Sequence, residues 1–291
     1  MRISPSASLK FDDCPHAYKL QYVDGYRSEA ASCNLVFGTV MHSTIEEYLI
    51  ELTKSGKESD MMAIFDEKWT DARSSQTIEY GANMDGDAMK DIGIELCNQF
   101  PEAWRNSGLM VLIDDDGKPL LELKLVVKKG AITLSMKLDA LCMNSDGEIV
   151  VIDFKTPSSP STRSMAIASD QLTAYQIGVE SIAKKLGIHK VHKLGFMELI
   201  KNKVSTTGRG RGPYIVPLEL VNTRSVKQKN EYLQKLYWMA EDVERGRMPR
   251  RARMGHNSPC KLCDVATLCQ SGNDIGLVKS EYKQKPVEAP L

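Results

Sequence analysis

The sequence has no excess of either charge, and this limits the partners that it can attract. Lysine and arginine together number 38 in 291 residues, as do aspartate and glutamate, so the formal net charge is zero. A global basic field that would attract nucleic acid is therefore excluded, and any nucleic-acid-binding surface must be local. Aromatic residues make up only 7% of the chain, so no platform for stacking bases stands out.

Long apolar segments are also missing from the sequence. The N-terminus has no apolar stretch after a basic start, and no long uncharged apolar run occurs later in the chain. The sequence therefore gives no indication of an export signal or of a membrane-spanning helix. We therefore expect a cytoplasmic protein that has no membrane partner.

The seven cysteines are not arranged as a disulfide framework. Their number is odd and they are scattered, which argues against paired disulfides in a chain without an export signal. Three of them, near the C-terminus, form a C-x2-C-x5-C pattern that indicates a metal site: Cys260, Cys263 and Cys269. Three others have no such spacing and are expected to be buried apolar residues: Cys33, Cys97 and Cys142.

Hydrophobic periodicity predicts a mixed α/β fold with a helical N-terminal section. A short capped helix precedes Cys14, and apolar residues at helical spacing predict helices at residues 38–52, 60–73, 86–105, 164–186 and 225–245. Runs rich in Val, Ile and Leu predict an antiparallel meander at 121–127, 131–143 and 148–154, and a further strand at 191–200. We expect one domain over residues 1–270, followed by a polar, flexible tail at 271–291.

Charged residues at the end of one apolar strand indicate a chemical site. Side chains alternate along a strand, so Asp153 and Lys155 leave the same face of the segment that begins at Glu148. Asp139 ends the neighbouring strand, and the two carboxylates can converge on a hard cation such as Mg²⁺ or Mn²⁺. The lysine would orient the attacking water and offset charge in the transition state. The alternative for the triplet alone is an ion pair on a solvated strand end.

Further motifs occur in a fixed order around these residues. Together the set resembles the RecB-type branch of the PD-(D/E)XK nuclease superfamily, which includes the RecB and AddB nuclease domains and CRISPR-associated RecB-like exonucleases. The resemblance covers residues 3 to 270, and Leu138 stands where the superfamily name has Pro. The matching segments are Gly38-Thr39-Val40-Met41-His42, Glu122, Leu138-Asp139, Asp153-Phe154-Lys155 and Gln171-Leu172-Thr173-Ala174-Tyr175.

The resemblance implies both a fold and a set of roles. The fold is a restriction-endonuclease-like core, in which helices flank a mixed central sheet, with a C-terminal cysteine cluster. Lys155 would serve the water nucleophile, while Gln171 and Tyr175 would position Lys155 or bind DNA phosphate, and Glu122 is an upstream acidic residue. The ligands of Mg²⁺ or Mn²⁺ would be His42, Asp139, Asp153 and the backbone carbonyl of Phe154. Taken alone, an inward-facing histidine such as His42 is more often a core residue.

The cysteines extend this resemblance. Cys14 together with Cys260, Cys263 and Cys269 resembles the one-plus-three pattern that holds a [4Fe–4S] cluster in some members of the branch. Thiolates suit either iron–sulfur or Zn²⁺, and spacing alone does not distinguish them, so Zn²⁺ is the alternative. Either centre would join the two ends of the domain, and a structural role is expected because closing a long loop removes entropy from the unfolded chain.

Two local basic stretches are candidates for contact with DNA phosphate. Arg209 and Arg211 lie in a glycine-rich loop, and Arg250 and Arg251 precede the cysteine cluster. The alternative for each stretch is a solvated run of charge. The sequence has no phosphate-binding loop of the Gly-x-x-x-x-Gly-Lys-Ser/Thr type, so any unwinding of DNA must come from a helicase or another recombination or CRISPR partner.

These observations predict a divalent-metal-dependent DNA nuclease, an exonuclease that acts on single-stranded or end-bearing DNA. The first alternative is a non-catalytic DNA-binding or complex-forming subunit that uses the same fold as a scaffold. A second alternative is a zinc-bound interaction protein of unrelated fold, in which the acidic residues and the lysine coincide by chance.

Overall fold

The computed structural model describes residues 1–81, 84–204, 211–251 and 258–280. Its strands are β1 (Arg2–Ile3), β2 (Tyr26–Ser28), β3 (Ala31–Ser32), β4 (Ile78–Glu79), β5 (Met110–Val111), β6 (Leu121–Lys129), β7 (Ile132–Met143), β8 (Ile149–Lys155), β9 (Lys193–Ile200), β10 (Tyr214–Ile215), β11 (Glu219–Asn222) and β12 (Leu277–Lys279). Its α-helices are α1 (Pro5–Asp13), α2 (Pro15–Tyr18), α3 (Cys33–Ser55), α4 (Met61–Ser75), α5 (Gly86–Ser107), α6 (Arg163–Ala168), α7 (Asp170–Ser181), α8 (Val226–Glu244) and α9 (Ala266–Ser271). Across these ranges, every helix is too short or too polar to span a bilayer.

The predicted mixed α/β fold with a central sheet between helices is confirmed. The helices begin and end where polar residues satisfy their free backbone groups. Asp60 accepts hydrogen bonds from the first N–H groups of α4, and Asp85 does the same for α5. Gly56 and Gly108 end α3 and α5 in the left-handed conformation that glycine adopts without strain.

The single helix predicted at 164–186 is wrong in two respects. The chain forms two helices there, α6 and α7, and the second ends at Ser181. Ser169 separates them because its backbone is extended and its side chain accepts a hydrogen bond from the N–H of Leu172. Serine competes for backbone hydrogen bonds inside a helix and favours the cap position, so the break follows from its chemistry.

Two compact units make up the chain, and each is assembled from separate segments. The first unit comprises Met1–Ala30, Val126–Met136 and Arg224–Leu291, and the second comprises Ala31–Leu125 and Lys137–Thr223. The interpretation of residues 1–270 as one domain stays a prediction.

The sheet of the second unit is mixed. Strand β8 runs antiparallel to β7, with Ala140 opposite Ile152, and parallel to β9, with Lys155 opposite Glu198. Strands β10 and β11 pair antiparallel with β9. Strand β8 is buried along nearly its whole length, which explains its almost continuous apolar sequence.

Helices α3, α4 and α5 cover one face of this sheet and form the main core with it. Aromatic rings dominate the contact: Phe37 packs against Phe65 of α4, and Phe100 of α5 lies 6.1 Å from Phe154 of β8 between ring centroids. Helix α7 packs against β8 and β9. Since Phe154 contacts the α3–α5 layer, the alternation of strand side chains turns Asp153 and Lys155 toward α7.

The first unit contains α1, α2, α8 and α9. Ser4 caps α1 through the N–H of Ala7, as the sequence predicted. Strand β1 pairs in parallel with residues Thr133 and Leu134 of β7, and β12 pairs antiparallel with β2. An ion pair of 2.5 Å between Lys235 of α8 and Asp12 of α1 links two of its helices.

Candidate active site

All the residues of the predicted catalytic set lie in the second unit. Helix α3 carries one of them, strands β6 to β8 carry the acidic residues and the lysine, and helix α7 carries the amide and the phenol. Two clusters result. The first, which we call the ligand cluster, consists of His42, Glu122 and Asp139. The second, which we call the lysine network, consists of Asp153, Lys155, Gln171 and Tyr175.

The ligand cluster offers donors that could hold a metal ion. One nitrogen of His42 and one carboxylate oxygen each from Glu122 and Asp139 lie within 4.8 Å of one another. The three residues line a cavity of about 280 Å³, together with Thr39, Ser43, Glu46 and Lys137. Imidazole with carboxylate is a donor set that divalent cations accept, so the residues present fit the group that the sequence predicted.

His42 is tied electrostatically to Asp139. Its Nδ1 lies 3.5 Å from Oδ2 of Asp139. Burial alone would lower the pKa of His42, but the hydrogen bond and the negative charge of Asp139 outweigh this and raise it above the ordinary value. The His42 ring also packs edge-on against the ring of Phe154, with centroids 6.2 Å apart, and this contact fixes its orientation.

Glu122 has a strained backbone. Its φ of 50° makes it the one residue other than glycine with a positive φ in the parts of the chain that the structure describes. This conformation raises the free energy of any residue other than glycine, because the Cβ atom clashes with the backbone. Strained residues of this kind are concentrated at functional sites. Its carboxylate forms an ion pair with Lys137 and lies beside His42 and Asp139.

The lysine network closes on itself around Asp153. Lys155 Nζ lies 2.6 Å from Oδ2 of Asp153 and donates a 2.8 Å hydrogen bond to Oε1 of Gln171. Gln171 Nε2 donates to Oδ1 of Asp153 at 2.9 Å, and the hydroxyl of Tyr175 donates to the same oxygen at 3.1 Å. Lys155 also lies over the ring of Phe196, 5.6 Å from its centroid.

Burial changes the pKa values of two groups in this network. Burial raises the pKa of Asp153 above its ordinary value, the positive charge of Lys155 opposes that shift, and the charge of Asp139 adds to it. Burial likewise raises the pKa of Tyr175, which keeps its phenol protonated and available as a donor. The ammonium of Lys155 reaches outward from this buried carboxylate, since its side chain is 36% exposed.

The structure divides the predicted metal ligands between the two clusters. Asp139 and His42 belong to the ligand cluster together with Glu122, whereas the oxygens of Asp153 face Lys155, Gln171 and Tyr175. Phe154 donates its backbone N–H to Oδ2 of Asp139 over 2.8 Å. The predicted role of the Phe154 carbonyl and of Asp153 as metal ligands stays a prediction.

Sequence reasoning missed four residues of the cavity. Three of them follow from the helical period, because Thr39, Ser43 and Glu46 share a face of α3 with His42. Lys137 follows from the strand period, because it precedes Asp139 by two residues on β7 and so shares its face. Given His42 and Asp139 as site residues, the spacing along α3 and β7 would therefore have predicted these four neighbours.

The predicted phosphate-binding arginines have separate surroundings. Arg209 lies outside the described residues, and the guanidinium of Arg211 stacks on Tyr214 at 3.3 Å from the ring centroid. In the first unit, Arg250 is exposed and Arg251 donates a hydrogen bond to the carbonyl of Asp12. Their contact with DNA stays a prediction.

Three of the four predicted cluster cysteines share one small core in the first unit. Cys14, Cys263 and Cys269 pack against a group of buried residues formed by Ala17, Leu20 and Val265. Cys260 lies in the short helical turn Pro259–Leu262 next to them in sequence. None of the seven cysteines forms a disulfide, and the three that were expected to be apolar core residues are buried: Cys33, Cys97 and Cys142.

Comparison with known proteins bears on the family. No curated protein matches the chain by sequence. Among solved structures, the chain resembles a candidate exonuclease from Eubacterium rectale, with 10% identity, a TM-score of 0.44 and coverage of 84% of this chain and 79% of that one. It also resembles the protein SSO0001, with 13% identity, a TM-score of 0.38 and coverage of 92% and 85%. These likenesses are too distant to carry an argument about activity.

The sequence profile of one family does match nearly the whole chain. The match to the PD-(D/E)XK nuclease superfamily extends over residues 2–270, which includes every residue of the ligand cluster and of the lysine network. The chain belongs to the PD-(D/E)XK nuclease superfamily.

Proposed function

We propose that the protein is a divalent-metal-dependent deoxyribonuclease of the RecB-like type, and that it acts as an exonuclease on single-stranded or end-bearing DNA. The observation that carries the proposal is the combination of an imidazole–carboxylate cluster with a lysine held by a neighbouring carboxylate. Asp139 belongs to the first group, and its hydrogen bond to Phe154 connects it to the strand that carries Asp153 and Lys155.

The metal would be held by His42, Glu122 and Asp139, with Asp153 and the Phe154 carbonyl as the further predicted ligands. Bound Mg²⁺ or Mn²⁺ supplies a Lewis acid for the phosphoryl oxygen and lowers the pKa of water at the site. Nucleases of this chemistry need carboxylate ligands because hard cations prefer oxygen. The strained Glu122 supports the proposal, because such a conformation persists where function requires it.

Lys155 would orient the attacking water and stabilise the negative charge that develops on the phosphate. Its ammonium is fixed by two partners, Asp153 and Gln171, so it does not have to be ordered when substrate binds. Tyr175 and Gln171 both donate to Oδ1 of Asp153. Tyr175 would therefore position Lys155 through Asp153, and Gln171 would do so both through Asp153 and through its own hydrogen bond with Lys155. Neither residue would need to contact the substrate.

Cleavage of end-labelled DNA tests the proposal. The full chain is incubated with single-stranded, double-stranded and circular single-stranded DNA, with Mg²⁺, with Mn²⁺ and with chelator. We expect metal-dependent release of mononucleotides or short oligonucleotides from linear substrates and none from the circle. Cleavage of the circle would show an endonuclease, cleavage of RNA in place of DNA would change the substrate class, and full activity in chelator would refute metal dependence.

A second part of the proposal concerns the cysteines. We propose that Cys14, Cys260, Cys263 and Cys269 hold a [4Fe–4S] cluster that stabilises the first unit. The shared core around Cys14, Cys263 and Cys269 supports this, because residues from both ends of the chain meet there. An iron and zinc assay on anaerobically purified protein, together with the visible thiolate-to-iron absorbance, distinguishes the two metals. Bound zinc without iron would overturn the iron–sulfur assignment.

The proposed substrate and partners follow from the same reasoning. DNA is the proposed substrate, and a helicase or a recombination or CRISPR protein is the proposed partner for unwinding. A non-catalytic scaffold is the less favoured hypothesis, because the chain has a histidine, carboxylates and a lysine of the kinds that the proposed chemistry needs.

A further inference from the structure

We propose that Lys137 is an exchangeable counter-ion of the active site. In the metal-free protein its ammonium neutralises Glu122, and when a divalent ion takes that carboxylate, Lys137 is released and contacts a phosphate of the DNA. This inference rests on the proposed nuclease function. It assigns to Lys137 a role that differs from that of Lys155, although both lysines lie beside the acidic residues of the same sheet.

The position of Lys137 is the first observation. It precedes Asp139 by two residues on β7, so the two side chains leave the same face of the strand. Its ammonium pairs with the carboxylate of Glu122. The same cavity is lined by Lys137 and by all three residues of the ligand cluster.

The contrast in burial between the two partners is the second observation. The side chain of Glu122 is only 12% exposed, whereas that of Lys137 is 57% exposed. A nearly buried carboxylate beside that of Asp139 is stabilised by a positive charge close to it. Lys137 supplies that charge from the surface, and its flexible stem can withdraw into water at little cost.

The two lysines also differ in how firmly they are held. Lys155 has two polar partners, Asp153 and Gln171, and a ring contact with Phe196. For Lys137 the structure shows the ion pair with Glu122. Among the described residues, Lys137 has this one ion pair and a largely exposed side chain, so it is the lysine that can exchange, whereas Lys155 is held by several contacts.

The ammonium of Lys137 and a divalent ion would compete for the carboxylate of Glu122. The carboxylate of Glu122 cannot serve both an ammonium and a divalent ion at close range without repulsion between the two cations. Removal of the ammonium should therefore favour metal binding. Since Lys137 lines the same cavity as the three ligands, the released ammonium would stay within reach of a phosphate bound to the metal, where it would form a charge-assisted contact.

The test uses Lys137→Met, which keeps the length of the side chain and removes its charge, with Lys137→Arg as the charge-preserving variant. Lys118→Met is the matched control, since Lys118 is an exposed lysine of the same unit that does not line the cavity. Circular dichroism checks that each variant folds. Mn²⁺ affinity is measured on the DNA-free protein by electron paramagnetic resonance, and affinity for a labelled single-stranded oligonucleotide is measured in Ca²⁺ over a range of salt concentrations.

We expect opposite effects on the two ligands. Lys137→Met should bind Mn²⁺ about two- to fivefold more tightly, since one competing ion pair is lost. It should bind DNA more weakly, and the slope of log affinity against log salt should fall by about one. Lys137→Arg should keep the DNA affinity and the salt slope, and Lys118→Met should change neither the Mn²⁺ affinity nor the DNA affinity.

Three results would overturn the inference. Weaker Mn²⁺ binding in Lys137→Met would show that the lysine holds Glu122 in place for the metal. An unchanged DNA affinity and salt slope would remove the phosphate contact, and an equal loss in Lys118→Met would make the effect one of general charge. Failure of the proposed function looks different, because the unsubstituted protein itself would then bind no Mn²⁺ or leave DNA uncut.

Discussion

The backbone N–H of Phe154 donates a 2.8 Å hydrogen bond to Oδ2 of Asp139. This bond ties β7 to β8 at the residue between Asp153 and Lys155. The same oxygen of Asp139 lies 3.5 Å from Nδ1 of His42. One carboxylate therefore serves both as a candidate metal ligand and as a support for the strand that carries the lysine.

Substitution of Asp139 separates these two roles. Asp139→Asn keeps an oxygen that can accept from the Phe154 N–H, whereas Asp139→Ala leaves that buried donor without a partner. Both variants should lose cleavage activity, but Asp139→Ala should be less stable than Asp139→Asn by about 1–3 kcal/mol. Urea unfolding followed by circular dichroism measures the difference. Equal stability of the two variants would show that the hydrogen bond contributes nothing.

Removal of the charge on Lys155 should affect chemistry far more than folding. Lys155→Ala should lower the cleavage rate by about 100- to 1000-fold, because a preorganised positive donor to the transition state is lost. Its stability should fall by about 1–2 kcal/mol, because the buried carboxylate of Asp153 loses its positive partner but keeps its hydrogen bonds from Gln171 and Tyr175. Single-turnover cleavage of end-labelled DNA measures the rate.

Two variants control the test of Lys155. Lys118→Ala removes an exposed lysine of the same unit and should cleave at the normal rate. Asp153→Ala should lose activity as Lys155→Ala does, because it removes the carboxylate that holds the ammonium. Full activity in either Lys155→Ala or Asp153→Ala would contradict the assignment of the site.

Gln171 and Tyr175 should prove energetically coupled. They lie one helical turn apart on α7, Gln171 Nε2 lies 2.8 Å from the Tyr175 hydroxyl, and both donate to the same oxygen of Asp153. A double-mutant cycle with Gln171→Ala and Tyr175→Phe should give an interaction energy of about 0.5–3 kcal/mol in unfolding experiments.

A second cycle provides the control for this coupling. Ser181 ends the same helix and donates its hydroxyl to the carbonyl of Gly178, away from Asp153. Gln171→Ala combined with Ser181→Ala should be additive to within about 0.5 kcal/mol. If the Gln171–Tyr175 pair is equally additive, the shared contact with Asp153 does not link the two side chains.

Much of the fold could be predicted from the sequence because its local patterns are consistent. Strand β8 has a nearly continuous apolar run and was predicted to within one residue at each end. Helix α3 has apolar residues at helical spacing and was predicted at 38–52, but it begins five residues earlier, at Cys33. The predicted helix at 164–186 failed because apolar spacing continues through Ser169, whereas the cap that Ser169 forms depends on its own backbone conformation.

The sequence could predict only those neighbours in the site that lie on the same strand or the same helix, because the periodicity of an element places their side chains on one face. Strand alternation placed Asp153 and Lys155 on one face, and helical spacing placed Gln171 beside Tyr175. The contact of Gln171 with Lys155 depends on how α7 packs against β8. The contact of Glu122 with Lys137 joins two different strands, and Glu122 has a strained backbone there. The spacing of residues along the chain predicts neither how a helix packs against a sheet nor a positive φ at Glu122. These two contacts therefore could not be predicted from the sequence.

Metal binding should stabilise the protein through the ligand cluster. A ligand that binds only the folded state adds about 2.7 kcal/mol at one hundred times its dissociation constant, which for a protein of this size raises the melting temperature by about 5–10 °C. We expect Mn²⁺ to produce such a rise in the unsubstituted protein and excess chelator to reverse it. The rise should vanish in His42→Ala, because that variant loses the one nitrogen of the cluster.

A second histidine serves as the control for this measurement. His189 is exposed and lies outside the ligand cluster, so His189→Ala should keep the full Mn²⁺-dependent rise. Differential scanning fluorimetry over a series of Mn²⁺ concentrations gives the apparent dissociation constant for each variant. If His42→Ala and His189→Ala respond alike to Mn²⁺, the ion binds elsewhere on the protein. In that case the cavity lined by His42, Glu122 and Asp139 is not the metal site.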